Sequence, residues 1–402
     1  MRFPVFAAIV PALVPRTQLP EALALNGVAM NASRIAGPLI AGALIASAGS
    51  VCVFVLNAML SLLCGALLMR WRRAHQPSPL GRERLFSAIR VGVQFVSQSA
   101  PVRATLLRTV VFYFNSIAML ALLPLLAHGR DGPAASMFTV LLACMGVGAI
   151  AGALLLPRMR QLVSRNGLVV AGSLAQAGAA AVVALNGTRY LAAPAMLVAG
   201  VAWITAANSL AVSVQLALPD WVRARGMSIF QMAMMGACAL GAARVGPGRI
   251  AAQRTGERAG ASVVGAVMAL ATLRLAGGGG NDADPTPSNQ FKVPVAATMD
   301  TAGHVQITIE YRIDAARAAE FRALMRESRR SRLQQGALSW ELLRSASDPA
   351  CYIERIVDES WIEHLRHFDR VTTADVALRD RKFAFHVGAG APVVTRCFVE
   401  DL

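Results

Sequence analysis

The stretch LAAPAMLVAGVAWITAANSLAVSVQLAL, running from Leu191 to Leu218, decides the fold class, because it holds no charged residue from end to end. A helix crosses the bilayer core with about 20 mostly apolar residues, and this run exceeds that length. A surface helix of a soluble protein would carry charge on its outward face. Comparable runs are Leu23–Ile45, Val51–Met69, Thr105–Ala127, Ala134–Leu156 and Gly167–Leu185. Gly226–Ala243 and Gly260–Leu275 are weaker, and Phe3–Val14 is apolar but too short to span. Turn chemistry at Gly132-Pro133, Asn186-Gly187 and Leu218-Pro219-Asp220 separates these runs. The expectation is a mostly α-helical transmembrane bundle of about eight spans plus a stub.

Composition agrees. Of 402 residues 55% are apolar and 15% charged, with a mean hydropathy of +0.50. A soluble chain of this size carries more charge. The net charge of +16 does not point to nucleic acid. From His304 to Leu402 Lys/Arg and Asp/Glu balance, so the excess lies in the apolar part, where basic residues between spans act as topology signals. Nucleic-acid binders instead gather a basic face on a soluble module. The six cysteines form no CxxC pair, so neither a zinc site nor a disulfide framework is read from them.

Between the second and third spans lies a polar break, 70–100, holding Arg70, Arg72, Arg73, Arg82, Arg84 and Arg90. Within it Leu85, Ile89, Val93 and Val96 recur at helical spacing, which predicts an amphipathic surface helix. Positive charge near span ends favours the cytoplasmic side, so this break is assigned there. Alternation then puts Arg16, Arg158, Arg160, Arg165, Arg223 and Arg225 inside too. Arg249, Arg254 and Arg258 fall outside, against the rule.

After Leu275, the run Ala276–Gly280 and then 281–303, with Pro285, Pro287 and Pro294, reads as a flexible linker. Beyond it the pattern changes. His304–Ile313, Ala337–Arg344, Cys351–Val357 and Val393–Val399 alternate as strands, and Ala315–Gln335, Ser360–Phe368 and Thr373–Phe383 read as helices. The order βαββαβ predicts a small ferredoxin-like α+β domain.

Two resemblances add to this reading. Ile9–Arg16, Leu19-Pro20, Ala24-Leu25-Asn26 and Ala32–Pro38 resemble the fourth-to-fifth helix region of a bacterial branch of the major facilitator superfamily, the branch that includes the enterobactin exporter. Gly200–Trp203, Asn208-Ser209, Val214–Leu216 and Pro219–Gly226 are similar to its tenth-to-eleventh helix region. The resemblance implies a partial major facilitator fold beginning inside the fourth helix, as an N-terminally truncated chain. The expected division is 1–70 for the remnant of the first transporter half, 71–102 for the central loop, 103–276 for the second half, 277–303 for the linker and 304–402 for the α+β domain. It also implies a permease in the bacterial inner membrane exporting a small siderophore- or drug-like molecule by alternating access. Gly336–Trp340, Tyr352–Glu354, Ser360–His367 and Arg370–Asp375 resemble domains of the antibiotic-biosynthesis-monooxygenase type, a dimeric α+β barrel class. That implies a homodimer contact, and either a regulatory module or a cofactor-free oxygenase. The expected partners are thus the lipid bilayer, a small-molecule substrate and a second copy.

Candidate site residues follow. Arg34 lies deep in a span, where an unpaired charge costs about 2.5 kcal/mol or more, so it must face a cavity or a partner helix. Asn26 and Asn31 share its helix and suit either the substrate path or interhelical hydrogen bonding. Gly37, Pro38 and Gly42 resemble the helix-bend motif of antiporter-type exporters; Pro frees a backbone carbonyl and Gly permits close packing. By the resemblance, Asn115, Trp203, Asn208 and, more weakly, Gln231 lie on the substrate path. Asp220, Arg223 and Arg225 are candidates for a cytoplasmic gate, or plain topogenic charge. In the α+β domain Trp340, Glu354, Trp361 and His364 are pocket candidates, with dimer or core packing as the alternative. His364 and His367 sit at i, i+3, but no third ligand stands out beside them, so no metal is assigned. No GxGxxG, Walker motif or nucleophile elbow occurs, and no cofactor is expected.

The charge pattern predicts a cytoplasmic C-terminus, since six spans follow the basic break. A reporter fused after Leu402 checks this: cytoplasmic fluorescence is expected, and periplasmic phosphatase activity would contradict it.

Overall fold

The computed structural model describes residues 19–70, 80–81, 83–127, 134–185, 189–245, 288 and 303–400. Seven long helices precede the α+β domain among them: α1 (Leu19–Arg70), α2 (Leu85–Gln98), α3 (Ala100–Ala127), α4 (Ala134–Leu162), α5 (Arg165–Leu185), α6 (Arg189–Ala217) and α7 (Asp220–Val245). The expected spans Leu23–Ile45 and Val51–Met69 both lie in α1, separated by a non-helical break at Gly49 (φ 79°, ψ 170°). Pro157 lies inside α4 and Pro194 inside α6. The expected stub Phe3–Val14, the span Gly260–Leu275 and most of the linker lie outside the described residues.

Five described stretches are long and apolar enough to cross a membrane: Val51–Arg70, Val140–Leu162, Arg165–Val183, Tyr190–Ala217 and Trp221–Ala243. On Val51–Arg70 the apolar side chains face outward, and on the other four many of them do. Phe54 is 73% exposed and Leu62 75%, an arrangement that water penalises and lipid satisfies.

The described residues form two compact units, 1–81 with 123–206, and 82–122 with 207–402. In the first, small residues bring α4 and α6 into backbone contact. A Cβ on Gly200 would collide with the Met145 carbonyl oxygen, and one on Gly152 would lie 2.9 Å from Val201 Cα. Lipid supplies no hydrophobic drive between helices, so close van der Waals approach through small residues holds them together.

The second unit contains the α+β domain. Its elements are β1 (Val305–Arg312), a 3-10 turn at Ala315–Arg317, α8 (Ala318–Gln335), β2 (Ser339–Arg344), β3 (Cys351–Asp358), α9 (Trp361–Asp369), α10 (Thr373–Phe383) and β4 (Val393–Phe398). The sheet order is β2-β3-β1-β4 with every pair antiparallel. This is the strand arrangement of the split βαβ pattern expected from the sequence. Local signals set the helix ends. The Ser360 hydroxyl caps α9, and Thr372 and Asp375 form a capping box on α10. Gly336 closes α8 at φ 112°, a left-handed position that disfavours side chains. One sheet face buries Ile307, Ile309, Tyr311 and Ile356 against Phe321 and Met325 of α8.

Helix α2 forms where the sequence predicts it, and of the expected apolar stripe Val96 is buried. Val91, Phe95 and Val96 are buried, whereas Leu85, Ile89 and Val93 of the expected apolar stripe are exposed. The reason is tertiary: the buried side packs in the same unit as α7 and the α+β domain, with Phe95 edge-on to Trp221 at 5.6 Å and Val91 beneath Gly336.

The close approach of α4 and α6 gives an expected outcome. Gly200→Leu should lower the melting temperature of the detergent-solubilised protein, since overpacking costs about 1–3 kcal/mol. Gly178→Leu, where a new Cβ meets nothing within 4 Å, should leave it nearly unchanged. Equal melting of both variants would contradict the packing argument.

Candidate functional site

The α+β domain holds a partly open cavity of about 250 Å³ between one sheet face and the helices. Period-2 alternation aims Ile307, Ile309 and Tyr311 of β1, Ile356 and Asp358 of β3, and Val394 and Arg396 of β4 at it. Helix α8 contributes Ser328, Ser331, Arg332 and Gln335, α9 contributes His364 and His367, and α10 contributes Leu378 and Lys382. The lining combines apolar residues with polar and charged ones.

Two polar clusters lie at this cavity. In the first, the Glu354 carboxylate is wholly buried and accepts hydrogen bonds from Tyr311 Oη (3.0 Å), Ser328 Oγ (2.8 Å), Trp340 Nε1 (2.8 Å) and Lys382 Nζ (3.2 Å). Burial alone would push its pKa up, but the Lys382 and Arg332 charges and the hydrogen bonds hold it at about 2. Burial raises the pKa of Tyr311, and the neighbouring Glu354 carboxylate adds to the rise.

In the second cluster, Asp358 Oδ2 lies 2.8 Å from His364 Nδ1 and 3.5 Å from His367 Nδ1. Arg396 Nε donates to His364 Nε2 at 3.2 Å, so the His364 proton sits on Nδ1 and is given to Asp358. Burial pushes His367 down to about 4 despite the nearby Asp358 carboxylate, leaving it neutral at neutral pH.

Asp358 corrects one expectation, that the His364/His367 pair has no third ligand. Its carboxylate and the two imidazoles place three ligand atoms within 4.8 Å of one another. The set could hold a divalent cation, but the surrounding charge opposes one. Arg396 already occupies His364 Nε2, and Arg332 and Arg370 both act on His367.

Of the four pocket candidates from the sequence, His364 lines the cavity. Glu354 and Trp340 are hydrogen-bonded to each other behind its wall, and Trp361 packs in the core with its ring 5.3 Å from His364. Sequence reasoning missed Asp358, Arg332, Gln335 and Arg396. Asp358 carried a usable signal, because it follows Glu354 and Ile356 at period 2 on one strand face.

A clasp joins the domain to α2 and α7 within the same unit. Glu83 pairs with both Arg225 and Arg370, the latter at 3.0 Å. Burial raises the Glu83 pKa, and these two guanidinium groups more than reverse it. Arg370 also reaches Glu363 at 3.1 Å and the Gln335 carbonyl at 2.7 Å, and lies 5.0 Å over the Trp221 ring. Arg90 bonds Glu359 at 2.7 Å and the Gly336 carbonyl at 3.2 Å; Gln94 bonds the Ala337 carbonyl at 2.9 Å.

The remaining candidates sit as follows. Asn115 is half-buried on α3 and donates to the Val111 carbonyl at 2.8 Å. Trp203 and Asn208 are half-buried on α6, and Gln231 on α7. Arg225 pairs with Glu83, while Arg223 reaches toward the Leu218 carbonyl. Asp220 begins α7, and its side chain lies outside the described residues. So do the side chains of Asn26, Asn31, Arg34 and Pro38 on α1, and the surroundings of Gly37 and Gly42.

Repeated apolar helices of membrane-spanning length, with a small α+β domain behind them, define a polytopic membrane protein. Residues 1–401 match the model of the transmembrane secretion effector family of the major facilitator superfamily. The chain belongs to that family and is a secondary-transport permease, and the match runs through the α+β domain. No curated protein matches the sequence significantly.

The buried Glu354–Lys382 pair generates a stability prediction. Lys382→Met should destabilise the domain by roughly 3–5 kcal/mol, because it strands a buried carboxylate. Combining it with Glu354→Gln should recover much of that loss. Denaturant unfolding followed by tryptophan fluorescence measures both, and strictly additive losses would refute the coupling.

Proposed function

We propose that this permease exports a small organic molecule, siderophore- or drug-like, by rocking two helix bundles about a central site. The observation that carries the reading is the family match over residues 1–401, whose family is described by secretion. The Gly37-Pro38 bend motif and the polar or aromatic residues Asn26, Asn31, Arg34, Asn115, Trp203, Asn208 and Gln231 on otherwise apolar helices support it. Polar side chains inside spans are costly in lipid and gather along substrate paths.

The membrane is the bacterial inner membrane, with the α+β domain in the cytoplasm. The clasp supports this orientation. Glu83 and Arg90 belong to the arginine-rich break, and they contact Arg370 and Glu359 of the domain, so break and domain share one side. Asp220, Arg223 and Arg225 then lie at the cytoplasmic end of α7. Of the two readings of the domain, oxygenase-like enzyme or regulatory and dimerising module, the clasp favours the second, since it ties the domain to a transport helix.

Expression in a strain stripped of its exporters tests the function. Intracellular accumulation of at least one compound in a panel of siderophores and drugs should fall severalfold. Unchanged accumulation across the whole panel would remove the export reading.

A further inference from the structure

Among the described residues, the cavity of the α+β domain has unmatched polar groups. Asp358 Oδ1 and Gln335 Oε1 are buried acceptors with no hydrogen-bond donor, and both residues line the cavity. Asp358 is 1% exposed and Gln335 5%. Leaving such an acceptor unmatched costs about 1–3 kcal/mol, so both are set for a donor that no described residue supplies. The Arg332 guanidinium lines the same space; its charge acts on the nearby Glu354 and Asp358 carboxylates, but among the described residues none receives a direct hydrogen bond from it. Around these groups the walls are apolar, from Ile307, Ile309, Ile356, Leu378 and Val394.

The complement of this lining is specific. Two acceptors call for hydroxyl donors, a guanidinium whose donors no described residue receives calls for a carboxylate or similar anion, and the walls call for an apolar body. The volume of about 250 Å³ is below the 300–1,000 Å³ or so usual for drug-sized ligands, which fits a single ring.

Two of the polar lining residues, Gln335 and Asp358, also adjoin the clasp. Gln335 precedes Gly336 and Ala337, whose carbonyls receive Arg90 and Gln94 of α2. The Gln335 carbonyl itself receives Arg370, which holds Glu83 and covers Trp221 of α7. Asp358 precedes Glu359, which receives Arg90 and Ser87. A ligand bonded to Gln335 and Asp358 therefore acts on the two backbone segments that grip α2 and α7.

We propose that this cavity is a regulatory site for a one-ring hydroxylated carboxylic acid, and that its occupancy alters the clasp on α2 and α7. The regulatory part rests on the permease reading; the binding part does not. The anion pairs with Arg332, the hydroxyl donates to Asp358 Oδ1 or Gln335 Oε1, and the ring lies against the isoleucines of β1 and β3. No covalent step is involved.

The test uses the full chain in nanodiscs, titrated calorimetrically with 4-hydroxybenzoate, benzoate and phenol. The proposal expects 4-hydroxybenzoate to bind most tightly. Arg332→Gln should weaken it about tenfold or more, the loss of a charge-assisted hydrogen bond, while phenol binding stays nearly constant. Amide hydrogen exchange at 85–98 and around Trp221 should change when 4-hydroxybenzoate is added. Absence of binding by all three probes to the unmodified protein at millimolar concentration overturns the site, whatever the variant does. Binding with unchanged exchange overturns the regulatory coupling. Oxygen consumption on adding the probe overturns regulation in favour of turnover. Tight zinc binding lost in His367→Gln, with no binding of the acids, assigns the cluster to a metal instead. Failure of the export assay alone leaves the binding result standing, so the two readings fail separately.

Discussion

Arg370 is the side chain on which the second unit depends. Its guanidinium is 4% exposed and joins four things: the Glu83 carboxylate, the Glu363 carboxylate, the Gln335 carbonyl and the Trp221 ring. A buried guanidinium is tolerated only when its donors are matched and its charge offset. Here two carboxylates and a helix-end carbonyl do so, and each comes from a different part of the chain. The central break, the end of α8, the start of α9 and α7 are thereby fixed in one arrangement. A lysine would offer a single point charge and could not span these partners.

Glu354 plays the corresponding part inside the α+β domain. An ionised carboxylate with no exposure survives because four donors converge on it, one of them Lys382. The strand register sets Glu354 opposite Ile309 on one side and Leu342 on the other, so the charge sits at the centre of the sheet. This network ties β1, β2, β3, α8 and α10 together. It also leaves the cavity beside it lined by groups that are not all matched. The contrast between a saturated cluster at Glu354 and an unsaturated one at Asp358 and Gln335 marks the second as the place where a ligand would be accommodated.

The membrane helices obey a different balance. Outward apolar side chains such as Phe54 and Leu62 are stabilised by lipid rather than by a protein core, and helix association relies on small residues. Gly148, Gly152 and Gly200 bring the α4 and α6 backbones to contact distance. The low aromatic content of the chain, 6%, suits this mode of packing.

The sequence by itself determined the elements. Apolar run length marked the membrane helices, because lipid cannot hydrogen-bond a backbone and so demands uninterrupted apolar helix. Period-2 and period-3.6 patterns marked the strands and helices of the α+β domain. Glu354 and His364 were legible as candidates since charged or titratable residues among apolar ones need a reason. What only the tertiary structure decided is which groups meet. Asp358 beside His364 and His367, Arg332 over the same cavity, and Arg370 between Glu83 and Trp221 all join positions distant in the chain. The inward face of α2 was decided the same way: the spacing of Leu85, Ile89, Val93 and Val96 marked an amphipathic surface helix, and Val91, Phe95 and Val96 are the residues buried. A helix with apolar residues on two sides has no intrinsic preference between them, and the partner that packs against it makes the choice.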